Sequence, residues 1–185
     1  MAEKSTAQEA TGKKGMTIYR AADSQELMES GYMTWPTMSD DARESLTETL
    51  AAGSQVGQHV RLLALQKPED GGFSLVHVWF KANYPLPRHS HDSDCMYYVI
   101  SGEAHMGNQV LRAGDSFFVP AEAPYVYTAG PDGVEVLEIR HNVPQFDMKI
   151  PDHTPERWQE MTEISAANRD RWESEETSPT FAANQ

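Results

Sequence analysis

A succession of short β-type runs joined by tight turns constrains the fold of this chain most. The runs are rich in Val, Leu, Ile, Phe and Tyr and occupy residues 56–66, 73–81, 96–100, 103–106, 109–111, 116–119, 125–128 and 134–141. Residues with turn chemistry separate them, at 67–72, 101–102, 107–108, 113–115 and 130–133. Eight short strands joined by tight turns predict an all-β, antiparallel barrel of the jelly-roll type.

Helical signals flank the predicted barrel. Acidic residues open a segment at Asp40 that keeps helical spacing through Leu50 and ends at Gly53. Thr154 and Pro155 are typical of a helix cap and a first helical position. We therefore predict a disordered leader over residues 1–15, a helical segment over 16–53 that packs on the barrel, the barrel itself over 54–145, and a C-terminal helix and tail over 146–185.

Charge and composition exclude several classes of partner. The net charge is −13, from 15 Lys and Arg against 28 Asp and Glu. Phosphate binding needs clustered cations, so we expect no nucleic-acid partner and no anionic membrane surface. The chain also lacks the run of about 20 apolar residues that spans a bilayer. Cys95 is the sole cysteine, which rules out an intramolecular disulfide and fits a cytoplasmic protein.

His89 and His91 form the candidate site with the clearest chemistry. Residues i and i+2 of a strand point to the same face, so the two imidazoles project together. Imidazole is a good ligand for Zn, Fe, Cu and Ni, and the pair therefore predicts a metal centre. The alternative is a pair of ordinary hydrogen-bonding histidines.

The surrounding spacing resembles the two motifs of the cupin superfamily. The first motif runs Gly, five residues, His-x-His, three or four residues, Glu, six residues, Gly, and Asn83, His89, His91, Cys95 and Gly102 fall in that frame. The second runs Gly, five residues, Pro-x-Gly, two residues, His. Its frame is filled by Gly114, Pro120, Glu122 and Tyr125. The resemblance implies a cupin-type double-stranded β-helix, a jelly-roll barrel with N- and C-terminal helices outside it.

Two of the four ligand positions that the resemblance implies are altered. Cys95 stands where the family has Glu, and it is either a thiolate ligand or a small buried residue that fills the space of the lost carboxylate. Tyr125 stands where the family has its fourth ligand, His. It would bind the metal as phenolate, donate a hydrogen bond to substrate, or pack as an aromatic. Both residues are also our candidate catalytic groups.

A barrel of this size holds one small ligand, and its aromatic residues indicate an apolar or aromatic organic substrate. The candidate pocket residues are Trp79, Tyr98, Phe117, Tyr127 and His77.

The resemblance implies a metal-dependent enzyme, since cupins include dioxygenases, isomerases and lyases. Open positions on a poorly saturated centre favour an oxygenase, with a lyase or isomerase as the first alternative and a non-catalytic binding cupin as the second. Fe(II) and Zn are the expected metals, and Mn, Ni or Cu also fit. The resemblance further implies a homodimer.

Overall fold

The computed structural model describes residues 15–67, 69, 72–141 and 147–182. The predicted leader lies outside these residues except for Gly15. The described strands are β1 Gln25–Glu26, β2 Gln58–Leu65, β3 Phe73–Phe80, β4 Ser90–His91, β5 Cys95–Met106, β6 Gln109–Arg112, β7 Ser116–Val119, β8 Thr128–His141 and β9 Met148–Lys149. The α-helices are α1 Asp40–Ala52, α2 Pro155–Ser174 and the short α3 Pro179–Ala182, and two 3₁₀ turns cover Ala21–Asp23 and Ser54–Val56.

Seven of the strands form one antiparallel sheet. Its order is β1-β2-β3-β8-β5-β6, and β7 pairs with β5 on the edge away from β8, which also carries β6. β4 and β9 form a separate two-stranded ladder. The all-β fold with flanking helices is therefore confirmed.

The register of the three central strands decides which side chains face the interior. Glu138 pairs with Val76 and with Tyr97, so these three side chains share one face. The next row, on the opposite face, is His77, Leu137 and Tyr98. Val76 and Tyr97 have no exposed surface, whereas Tyr98 is 43% exposed. The face that carries Tyr97 and Glu138 is thus the interior of the barrel.

Ser101-Gly102 and residues 130–133 do not end strands as the turn chemistry predicted. They lie inside the long strands β5 and β8, where the register shifts between Val99 and Ser101 and between Gly102 and Ala104. Gly102 has a φ of 71°, and a Cβ there would lie 2.1 Å from the carbonyl oxygen of Gly133. These glycines therefore bend a continuous pair of strands at bulges, where a second strand backbone approaches closely.

The flanking helices begin at the caps that the sequence indicates. The Ser39 side chain accepts a hydrogen bond from the backbone N–H of Ala42 at the start of α1. At the start of α2, Thr154 accepts from the N–H of Arg157, and Pro155 is the first helical residue. Both helices lie outside the barrel.

Helix α2 is tied to the barrel and to α1. The indole N–H of the fully buried Trp172 donates to the carbonyl of Ala82, 2.9 Å away. The hydroxyls of Thr49 in α1 and Thr162 in α2 are 2.8 Å apart. Within the described residues, no helix is both long enough and apolar enough to cross a membrane.

Glu135 is the buried carboxylate that ties the sheet to the C-terminal segment. It is inaccessible to solvent, and its Oε2 accepts a hydrogen bond from the Ser101 hydroxyl at 2.7 Å. Burial by itself would raise the pKa of this carboxyl, but hydrogen bonds outweigh it and lower the pKa from 4.5 to about 2. The hydroxyls of Ser101 and Thr180 donate to Oε2, Ser178 also contributes, and His77 Nε2 lies 3.5 Å from Oε1.

We predict that Glu135→Gln destabilises the protein in a pH-dependent manner. Because the folded-state pKa lies below the unfolded one, the ionised carboxylate contributes stability that is fully present above about pH 4.5 and lost as the pH falls towards 2. Urea denaturation should show a cost on the order of 3 kcal/mol at pH 7 that shrinks towards pH 3. Glu48→Gln, on the exposed side of α1, is the matched control. A cost that stays constant from pH 7 to pH 3 would contradict this assignment.

Candidate functional site

His89 is fixed from both its backbone and its ring. A pair of backbone hydrogen bonds joins it to Tyr125, with N–H to carbonyl distances of 3.0 and 2.9 Å. The ring Nδ1 lies 2.9 Å from the carbonyl oxygen of Pro87. A carbonyl only accepts, so Nδ1 carries the proton and the lone pair is on Nε2.

His91 repeats this arrangement from the neighbouring ladder. It lies in β4 opposite Met148, and its Nδ1 is 3.2 Å from the carbonyl oxygen of Asp147. Nδ1 again donates, which leaves the lone pair on Nε2. The centroids of the His89 and His91 rings are 5.1 Å apart, and the ring planes are nearly perpendicular.

Both imidazoles are neutral at physiological pH. His89 and His91 are 3% and 7% exposed, respectively. Burial, together with the smaller effect of the positive charge of Arg140, lowers the pKa of His89 to about 4 and that of His91 to about 2. A neutral ring that donates its other N–H to a backbone carbonyl is the usual state of a metal-ligating histidine. The two rings therefore fit a metal ion as a pair of ligands.

A chain of tyrosine hydroxyls leads from His89 into the barrel. The Tyr125 hydroxyl is 2.8 Å from His89 Nε2 and must donate to it, because that nitrogen carries the lone pair. The Tyr97 hydroxyl forms a short hydrogen bond with the Tyr125 hydroxyl and is the donor in it, since Tyr125 has already given its proton. Burial raises the pKa of both phenols well above 10, so both are neutral donors.

A buried ion pair lies beside this chain. Arg140 Nη1 is 2.9 Å from Glu138 Oε2, and the two residues are only 1% and 8% exposed. Both face the interior because they alternate with Leu137 and Ile139 on β8. The negative charge of Glu138 contributes to the raised pKa of Tyr97 and of Tyr125. The interior thus holds one balanced pair of charges among neutral hydrogen-bonding groups.

The two histidines, Tyr125 and Glu138 line an inner cavity of about 90 Å³, whereas Tyr97 and Arg140 do not. Its polar wall consists of Gln58, His89, His91, Tyr125, Tyr127 and Glu138, and the rest of the wall is apolar. The structure therefore brings together two of the predicted ligands, the predicted Tyr125 and one predicted pocket residue, Tyr127. Phe117 lies behind them and stacks on Tyr97, with ring centroids 4.5 Å apart.

Cys95 does not join the two histidines. It is 1% exposed and does not line the inner cavity, and its nearest hydrogen-bonding contact is the carbonyl of Met96, 3.7 Å from Sγ. Burial, followed by the negative charge of Glu138, raises the thiol pKa to about 12. Across residues 15–67, 69, 72–141 and 147–182, no three His, Cys, Asp or Glu side chains cluster closely enough to hold a metal ion. The structure thus favours the small buried residue over the thiolate ligand.

Three of the predicted pocket residues lie on the other side of the sheet. Tyr98 and His77 belong to the outward-facing row described above, and Trp79 follows His77 by two residues on the same face. His77 and Trp79 line a separate cavity of about 440 Å³ between the sheet and the C-terminal segment. The sequence identifies residues that share a face of the sheet, but it does not tell which face lies inside the barrel. Tyr98, His77 and Trp79 were predicted to line the pocket, and the structure places them outside the inner cavity.

The sequence analysis did not predict that Tyr97, Glu138 and Arg140 lie in the interior beside the site. A signal for the last two exists in β8, where Val134 and Val136 alternate with outward residues and Glu138 and Arg140 continue the same alternation. Two opposite charges spaced i, i+2 on an otherwise apolar face are typical of a buried ion pair. For Tyr97, no local signal distinguishes it from Tyr98.

Comparisons with known proteins return structural similarity only. No protein-family model matches the chain, and no curated protein matches it. The solved structures that it resembles include an RmlC-like cupin from Shewanella frigidimarina, with 26% identity over 47% of this chain and 78% of that chain and a TM-score of 0.42. KdgF from a Halomonas species gives 21% identity over 47% and 80%, with a TM-score of 0.42. The polyketide cyclase RemF from Streptomyces resistomycificus gives 17% identity over 61% and 84%, with a TM-score of 0.45.

The strand pairing brings the two motif frames together. His89 and Tyr125, which fill one ligand position in each motif frame, are paired through their backbones. The chain forms the antiparallel β-barrel that the resemblance implies, and the solved structures that it resembles include cupins. Activity, metal and substrate do not follow from the fold.

We predict that Tyr125→Phe destabilises the protein by about 1–3 kcal/mol in urea denaturation. The substitution removes the hydroxyl that both His89 and Tyr97 contact and leaves two buried polar groups without that partner. Tyr98→Phe is the matched control, because its side chain is 43% exposed, and its effect should stay within about 0.5 kcal/mol. Equal effects of the two substitutions would show that the hydroxyl chain contributes nothing specific.

Proposed function

We propose that this protein is a metal-dependent cupin enzyme that acts on a small, largely apolar organic substrate in the inner cavity. His89 and His91 would hold the ion through Nε2. The observation that supports this most is the pair of Nδ1 hydrogen bonds to the carbonyls of Pro87 and Asp147, which leaves both rings neutral with the lone pair on the nitrogen that a metal uses.

Fe(II) or Zn is the first choice of ion, and Mn, Ni and Cu also accept imidazole. When bound, such an ion supplies Lewis acidity towards a substrate oxygen. The protein supplies two ligands in this proposal, so positions remain for substrate and for a small co-substrate. That favours an oxygenase, with a lyase or isomerase as the alternative.

The tyrosines would bind and orient the substrate. Tyr125 is a neutral donor at the cavity wall, and its hydroxyl would turn from His89 Nε2 to an oxygen of the substrate. Tyr97 would follow by donating to Tyr125 Oη, as it does in the structure. Burial of the whole group excludes water and strengthens each of these hydrogen bonds.

A second function, non-catalytic binding of a small molecule, is supported by a different observation. No third His, Cys, Asp or Glu joins His89 and His91 in the part of the chain that the structure describes. The positive charge of Arg140 also acts on both rings and opposes a nearby cation. In this function the same cavity would hold its ligand by the hydroxyls and the imidazoles alone.

Metal analysis of protein purified without added metal separates the two functions. We predict about one first-row metal ion per chain in the wild type and its loss in the double variant His89→Ala, His91→Ala. His105→Ala is the control, since His105 pairs with Glu103 on a partly exposed surface. Elemental analysis checks the metal, and circular dichroism checks that each variant folds. A folded wild type without metal, which also binds none when Fe(II) or Zn is supplied, would reject the enzyme and leave the binding function.

Cys95→Ser should leave the metal content unchanged. The thiol is buried, its raised pKa keeps it protonated, and it stands apart from the cavity wall. The same elemental analysis is the measurement. Loss of metal from a folded Cys95→Ser variant would show that the Cys95 thiolate is a metal ligand, which would contradict the position of Cys95 in the structure.

A homodimer in the cytoplasm stays a prediction, and sizing chromatography tests its dimeric state.

A further inference from the structure

The inner cavity is too small for an organic substrate of drug-like size. Its volume is about 90 Å³. Sites that enclose a drug-sized molecule measure roughly 300–1,000 Å³. The volume beside His89, His91 and Tyr125 therefore admits only a small group, and the remainder of any larger substrate must lie elsewhere.

A second cavity of about 270 Å³ adjoins the inner one. We call it the outer cavity. Six residues line both cavities, and they are Leu27, Met33, Gln58, Val60, Leu86 and Met148. These side chains form a common wall, so the two cavities are neighbours, and a ligand that occupies both must pass between these side chains.

The outer cavity is built mainly by the segments around the barrel. The stretch after β1 supplies Met28 and Trp35, helix α1 supplies Leu46 and Leu50, and helix α2 supplies Met161. Its wall is strongly apolar. Among its described lining residues, Glu26 is the sole charged one, and that carboxylate is 3.6 Å from Arg61 Nη1. Methionine side chains adapt to irregular apolar shapes, and four of them line this cavity.

We infer that the ligand of this barrel is an amphiphile, with a short oxygen-bearing end in the inner cavity and an uncharged, apolar tail in the outer cavity. The inference deepens the proposed function and rests on it for the identity of the reacting end. The inner wall offers neutral donors and acceptors for one or two oxygens. The outer wall offers apolar contact, which favours a hydrocarbon chain or an alicyclic ring over a sugar or a charged group.

The test uses the full-length protein and a homologous series of probes, 1-butanol, 1-hexanol and 1-octanol, in isothermal titration calorimetry. Burying one methylene is worth about a fourfold gain in affinity, so 1-octanol should bind on the order of 100-fold more tightly than 1-butanol. A series with no gain in affinity from four to eight carbons overturns the inference.

Two variants locate the tail. Met28→Trp fills the outer cavity from its rim, where Met28 is 44% exposed, and Leu50→Trp fills it from helix α1. Each should reduce 1-octanol affinity about tenfold or more and change 1-butanol affinity less than threefold. Leu65→Trp is the matched control, because Leu65 is 39% exposed on β2 and lines neither cavity. If Leu50→Trp fails to fold by circular dichroism, the exposed Met28→Trp variant still decides. An unchanged gain with chain length in the filled variants overturns the inference.

Failure of the inference and failure of the proposed function are distinguishable, because the metal content is measured on the same samples. If the protein contains metal but its affinity for the alcohols does not depend on chain length, the proposed enzyme function stands and the amphiphilic ligand is rejected. A length dependence that Met28→Trp abolishes in a protein unable to bind metal keeps the amphiphile as the ligand of a binding protein and removes the enzyme.

Discussion

The antiparallel register of β5 against β8 is the constraint on which the interior depends. It places Tyr97 opposite Glu138, and the alternation of side chains then puts Arg140 on the same inner face. A slip of β5 by one residue would turn Tyr98 inward and Tyr97 outward. The bulges at Gly102 and Gly133 hold this register, because the two backbones meet there with no room for a side chain.

The interior is a buried site in which hydrogen bonds, rather than free charge, set the chemistry. The two imidazoles are neutral, the phenols stay protonated, and Glu138 and Arg140 balance each other. A buried polar group without a hydrogen-bond partner costs free energy. The two tyrosine hydroxyls accordingly form one hydrogen-bonded chain that ends on His89 Nε2. A ligand that replaces the Tyr125–His89 contact must offer a lone pair to the Tyr125 hydroxyl, and His89 Nε2 must receive a hydrogen-bond donor or a metal ion instead.

Features with local causes could be predicted from the sequence, and features that depend on tertiary packing could not. The shared face of His89 and His91 follows from strand geometry, and the cap at Thr154 follows from backbone hydrogen bonding. The position of Tyr98 depends instead on which face the whole sheet buries, which the pattern of two adjacent tyrosines does not encode. The residue types of Ser101-Gly102 are typical of a turn and equally of a β-bulge. The close approach of the Gly133 backbone, which the sequence does not show, makes this position a bulge. Cys95 fills a ligand position of a motif, yet its short side chain leaves it within the barrel wall.

The central claim is that His89 and His91 are neutral and carry the lone pair on Nε2, and imidazole nitrogen NMR tests it most directly. A long-range ¹H–¹⁵N correlation spectrum of metal-free protein at pH 7, assigned with His89→Asn and His91→Asn, distinguishes the two tautomers and the protonated ring. The account predicts the Nδ1–H tautomer for both rings, followed by a shift of both Nε2 resonances when Zn²⁺ is added. An Nε2–H tautomer or a protonated ring at either position would contradict it.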